Sequence, residues 1–135
     1  MAALAVYTRR AHTPRAHMDR FRPEHFLPLT PVAFEILLSL AEGEQHGYRI
    51  MQEVGSRTSG RITLHAGTLY RALARLLETQ LIEELSERPD PESDDGRRRY
   101  YRLTAHGLAV ARAEAARLES QVTAARERHL LKVRG

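Results

Sequence analysis

The chain has 135 residues, 42% of them apolar, and a formal net charge of +4. That length suits one domain with an appended element, and so small a core favours oligomerisation as a way to bury more surface. It contains no cysteine, which excludes disulfides and thiolate metal sites, and no apolar run approaches the roughly 18–20 residues that span a bilayer.

The N-terminus runs apolar then basic, the reverse of a secretory signal, so a cytoplasmic protein is expected. Lys132 is the only lysine; every other cation is arginine. A modest basic excess admits nucleic acid as a partner, but arginine- and alanine-rich usage also fits a GC-rich genome. The placement of the arginines has to decide.

Residues 1–28 lack clean periodicity. They hold Pro14, Pro23 and Pro28 among Arg9, Arg10, Arg15, Arg20 and Arg22. A flexible basic arm is expected, either a frayed terminus or a segment that tracks a DNA backbone. Met18 is an alternative start. Thr30-Pro31 then opens a helix, with threonine as N-cap and proline at the first helical position. Its stripe is read as Phe34, Leu37, Leu38 and Ala41, and Gly43 closes it. A second helix is expected over 47–59, with Ile50, Met51 and Val54 inward. The segment Arg61–Leu64 alternates and suggests a minor strand. A third helix follows over about 66–80. Leu81–Glu87 and Arg97–Thr104 have strand character and enclose the acidic, proline-containing loop RPDPESDDG. Thr104 caps a last helix expected to reach about Leu131. Three helices, a hairpin and a long helix are the layout of a winged helix-turn-helix: mainly α, with a β-hairpin wing.

The third helix contains HAGTLYRALAR (His65–Arg75). With Thr68 as zero on a helical wheel, Leu69, Ala72, Leu73 and Leu76 fall between roughly 40° and 140°. Thr68, Arg71 and Arg75 lie within about 60° of one another near 330°. One face packs; the other presents a hydroxyl and two guanidinium groups. Gly67 leaves the backbone open near the positive end of the helix dipole, which suits a phosphate. Alone, such a stripe is compatible with a plain solvated face. The hairpin adds Arg97, Arg98 and Arg99, and arginine can clamp phosphates or bond guanine bidentately. Together they point to double-stranded DNA. Asp90, Glu92, Asp94 and Asp95 oppose this and suggest that the wing tip points away from the duplex. Of Tyr100 and Tyr101, one should pack and the other face out.

These residues carry a family resemblance. LTPVAFEILLSLAEGEQHGYRI, GTLYRALARLLETQLIEE and GRRRYYRLTAHG, in that order, resemble the PadR family of bacterial transcriptional regulators from about Leu29 to the final helix. The likeness implies a dimeric repressor that binds a palindromic operator and is released by an effector, a small molecule by expectation. It places the Gly-Thr-Leu-Tyr helix in the major groove. The candidate DNA-contacting set is then Tyr48, His65, Gly67, Thr68, Tyr70, Arg71, Arg75, Arg97, Arg98 and Arg99. Family members often have Ser-Pro where this chain has His65-Ala66, and histidine is the poorer N-cap. His65 therefore either weakens helix entry or bonds DNA itself. Some relatives of this kind hold flat drugs between tryptophans at the dimer centre. This chain has no tryptophan, and its last helix has neither Tyr nor Phe, so that ligand mode is not expected. Phe34, Tyr7, Phe21 and Phe26 are the remaining aromatic candidates.

In the last helix Leu108, Ala111, Ala115, Leu118, Val122, Ala125 and His129 step by three and four, a heptad seam. A helix of about 28 residues, roughly 40 Å long, exceeds what so small a domain can cover, so a second copy of the chain is the expected partner. The alternative is a stripe packed only on its own domain. The expected organisation is an arm over 1–28, a DNA-binding domain over 29–104 and a dimerisation helix over 105–135. No cofactor, metal site or membrane contact is expected. No HExxH, phosphate loop or nucleophile–base spacing suggests an enzyme, and His46 and His106, each before glycine, read as turn or capping residues. The competing readings are a winged helix used for protein contacts and a nonspecific architectural DNA-binding protein.

Overall fold

The computed structural model describes residues 20–89 and 97–132, and for residues 87–89, 97 and 98 it describes the backbone alone. Helix α1 spans Pro31–Ala41. The Thr30 hydroxyl accepts from the Ala33 N–H at 3.1 Å, so the cap expected from the sequence forms. Its buried face is Ile36, Leu37, Ser39 and Leu40. Phe34 and Leu38, expected inward, are only half-buried, and Ala41 is exposed. The helix is apolar on two sides, so periodicity alone could not select the packed one.

Strand β1 is the two-residue Gln45–His46, and α2 follows over Gly47–Arg57. His46 caps α2: its Nδ1 accepts from the Arg49 N–H at 3.1 Å. Ile50 and Val54 are fully buried, with Met51 beside them. Arg57 ties α2 to α1 through the Glu35 carboxylate, the Glu35 carbonyl and the buried Ser39 hydroxyl. Arg61–Leu64 is not a strand. The Thr58 hydroxyl accepts from the Ile62 N–H at 3.1 Å and also contacts the Ile62 carbonyl, so this backbone is engaged locally.

Helix α3 covers Ala66–Glu78 and buries Leu69, Leu73 and Leu76. It ends with Gln80 in the left-handed region (φ 63°), the Gln80 N–H on Leu77 and the Leu81 N–H on Leu76, a Schellman closure. Strands β2 (Ile82–Pro89) and β3 (Arg97–Leu103) form the wing, and β3 is central in the order β1-β3-β2. A register shift between Leu85 and Arg88 puts an extra residue into β2, a bulge that bends the wing. Pro89 sits on an edge strand, where its missing N–H is tolerated.

Helix α4 runs Ala105–Glu127, 23 residues and so roughly 35 Å, shorter than the sequence suggested. The Thr104 side chain caps it by accepting from the Gly107 N–H. Its first turns belong to the domain: Ala105, Gly107, Val110, Ala111 and Glu114 are buried. Ala111, read as a seam residue, is thus a core residue.

The arm reading also changes at its end. A 3-10 turn over Pro23–Phe26 packs on α4, and Phe21 stacks on His106 with ring centroids 3.6 Å apart. Phe21, Phe26 and Leu27 all lean on the core. Residues 1–19 lie outside the described part.

Glu114 pins this segment. Its side chain is only 2% exposed, and it accepts from the Leu29 N–H at 2.9 Å and from the Arg117 guanidinium. The Arg117 hydrogen bond holds the carboxyl below the ordinary range; burial opposes this and the Leu29 N–H reinforces it. A depressed folded value stabilises the protein above the unfolded value of about 4.5 and stops doing so as pH falls through the folded one. Melting temperature should therefore fall as pH drops below about 5, and less steeply in Glu114→Gln, as followed by circular dichroism. Equal acid slopes for the two proteins would show that Glu114 contributes nothing.

Candidate nucleic-acid interface

The exposed side of α3 starts at its first turn. His65 is the N-cap with extended backbone (φ −82°, ψ 156°), but its side chain makes no capping hydrogen bond. It is exposed, and the N–H groups of the first turn lack intrahelical acceptors. His65→Ser should supply the missing cap and stabilise the fold by about 1 kcal/mol in thermal melts. If His65 also bonds DNA, the same variant binds an operator more weakly despite being more stable.

Thr68 is half-buried, while Gly67, Arg71 and Arg75 are exposed. A Cβ placed on Gly67 would lie 3.5 Å from Arg71 Nη1, so the guanidinium folds back over the first turn. A cation and the helix's free N–H groups therefore face the same space, where an anion is doubly favoured. Among the described residues neither Arg71 nor Arg75 forms an ion pair, whereas Arg49, Arg57, Arg102 and Arg117 are paired with Glu53, Glu35, Glu83 and Glu114. The two guanidinium groups of α3 are thus available to an external acceptor.

The wing contributes Arg99, mostly exposed and 3.6 Å from Glu84. Arg97 and Arg98 lie in β3 opposite Pro89 and Arg88. The acids Asp90, Glu92, Asp94 and Asp95 lie outside the described residues. Tyr101 is the tyrosine that packs, and burial in the sheet is the main cause of a hydroxyl pKa pushed up to about 12. Tyr100 is half-buried and meets His46 edge-on at 5.4 Å. Tyr48 and Tyr70 are both about half exposed, at 50% and 49%.

Gly47, expected from sequence only as the first residue of the second helix, is also a point of close approach. A Cβ there would lie 2.8 Å from Tyr70 Oη and 3.3 Å from Leu69 Cδ2, so α2 and α3 cross where only a glycine fits without adjustment. The signal was a glycine directly after a capping histidine, in a helix whose partner carries Leu-Tyr. Among the described residues there is no group of three or more metal-ligating side chains, and no helix is long and apolar enough to cross a membrane.

Three helices, a three-stranded antiparallel sheet with an arginine-bearing wing, and a C-terminal helix define a winged helix-turn-helix regulator. The chain matches the model of the transcriptional regulator PadR-like family over residues 36–113, and it belongs to that family. Its relatives in this family are transcription regulators, not enzymes. It is similar to a PadR family transcription regulator from Clostridium difficile, with 26% identity, 73% of this chain and 97% of that one covered, and a TM-score of 0.61. It is also similar to a transcriptional regulator from Clostridium thermocellum, with 27% identity, 71% and 90% covered, and a TM-score of 0.59. An uncharacterized protein of Lysinibacillus sphaericus is 36% identical over 74 residues, 55% of this chain. The match spans 65% of that relative's length, just under two thirds.

Proposed function

We propose that the chain is a cytoplasmic DNA-binding repressor that reads a palindromic operator as a homodimer and is released by an effector. The observation that carries this is the α3 stripe of Thr68, Arg71 and Arg75, facing away from Leu69, Leu73 and Leu76 with its arginines free of ion pairs among the described residues. In this reading α3 lies in the major groove. Arg71 and Arg75 contact base edges or phosphates, with His65, Gly67, Thr68 and Tyr48 at the rim. Arg97, Arg98 and Arg99 of the wing hold the backbone. Its membership of a family of transcription regulators supports the same assignment.

The dimer is supported by the far half of α4. Beyond Glu114 the helix leaves the core: Ala115 is exposed, Leu118 half-buried and Val122 38% exposed. The outer apolar stripe of α1, Phe34 and Leu38, offers further surface to a second copy. A two-fold dimer would set two α3 helices about 34 Å apart, one duplex turn. A small molecule that prefers one dimer angle shifts the population between binding-competent and incompetent states.

The test is titration of fluorescent duplexes from the promoter of its own gene. Saturable, salt-sensitive binding to a palindrome is expected, whereas equally weak binding to every duplex would favour an architectural protein or a protein-contact module. Arg71→Ala should cost about 1–3 kcal/mol on the operator and relax its sequence preference, as measured by anisotropy on operator and point-substituted duplexes. An unchanged specificity ratio would remove Arg71 from base reading.

A further inference from the structure

Tyr70 sits beside the α3 arginines in sequence but not on their face. On the helical wheel it lies about 100° from Arg71 and about 140° from Arg75, on the flank between the polar stripe and the core. Its phenol end lies over Gly47, where a Cβ would be 2.8 Å from Oη and 3.2 Å from Cζ. Gly47 follows the strand Gln45–His46, which pairs with Tyr101 and Tyr100 in the central strand of the sheet. Leu69, fully buried against the same glycine, fixes one point of the α2–α3 crossing. Tyr70 supplies a second, and two points fix the rotation of α3 about its own axis.

We propose that Tyr70 is a positioning residue: seated in the notch at Gly47, it braces α3 against the root of the wing and so sets how sharply α3 discriminates between DNA sequences. The proposal rests on the reading of α3 as the DNA-contacting helix and gives Tyr70 a role other than direct contact. The half-exposed ring is the movable partner in the crossing. A methyl group on Gly47 should therefore displace the ring at small cost in stability and turn the arginine stripe out of register.

The experiment uses the full chain. A duplex of about 30 base pairs, selected by the wild-type protein from a random pool, is compared with its shuffled counterpart by anisotropy. Gly47→Ala should melt within a few degrees of wild type, yet lower the specific-to-shuffled affinity ratio by roughly tenfold, the scale of one misplaced base contact. Tyr70→Phe should keep the ratio within about threefold of wild type. The double variant should recover most of the ratio, because removing the hydroxyl makes room for the methyl group. A Tyr70→Phe loss as large as that of Gly47→Ala, an unaffected Gly47→Ala, or a double variant without recovery overturns the proposal. If the wild type selects no sequence, the DNA-binding reading fails instead. The brace is then tested without DNA, by a nuclear Overhauser contact between the Tyr70 ring and the Gly47 α-protons. Observing that contact supports the brace, and its absence overturns it.

Discussion

Gly107→Ala should cost about 3 kcal/mol or more of folding stability, the upper end of what overpacking does. A Cβ at this position would overlap the Leu81 carbonyl oxygen and lie 2.9 Å from its carbon. No side-chain rotation can relieve that, because the obstacle is backbone. Nor can the carbonyl retreat easily. It accepts the Thr104 N–H at 3.1 Å, and the preceding Gln80 carbonyl accepts the Thr104 hydroxyl at 2.7 Å. The first turn of α4 is thus stitched to the turn after α3, and the methyl group has to open the seam.

Gly55 in α2 gives the opposite sign. Nothing lies within 4 Å of a Cβ built there, so Gly55→Ala should stabilise by about 0.5–1 kcal/mol through helix propensity alone. Urea denaturation at one fixed protein concentration checks both, since association would otherwise shift the midpoints. A Gly107→Ala midpoint equal to wild type would mean that α4 does not approach Leu81 this closely.

A stripe is legible when a helix has one apolar face, as in α3, where Leu69, Leu73 and Leu76 are buried and the arginines face out as the wheel requires. It is not legible in α1, where Phe34 and Leu38 are as apolar as Ile36 and Leu40, and only the neighbouring elements decide which pair is buried. Strand β1 has two residues and exists because β3 lies beside it, so no local pattern encodes it. Thr58 cancelled the strand expected at Arg61–Leu64 with one hydroxyl. No local pattern marks Glu114 as a buried residue. Its burial depends on Leu29, 85 residues away. In the candidate interface, Arg71 and Arg75 were visible from spacing, whereas the notch at Gly47 was not, because a close approach belongs to two elements at once.

Leu118→Glu with Val122→Glu should abolish both dimerisation and tight operator binding. Both residues lie beyond Glu114, where α4 no longer contributes to the core, so the monomer fold should survive, with far-UV circular dichroism as the control. Facing carboxylates across a two-fold axis would leave buried charges unpaired, which costs several kcal/mol, enough to dissociate a dimer of modest area. Glutamate is preferable to lysine, since an added lysine would raise nonspecific affinity for phosphate and mask the loss. On DNA, separating the subunits removes the effective concentration that one bound half-site confers on the other, so operator affinity should fall by about 100-fold or more. Binding to shuffled DNA should change far less. Sedimentation velocity and anisotropy on the same samples read the two effects together. Arg71→Ala is the contrast: it should weaken operator binding while sedimenting as a dimer. If the double variant still sediments as a dimer, the far half of α4 is not the interface. The outer stripe of α1, Phe34 and Leu38, then becomes the surface on which the second copy must be sought.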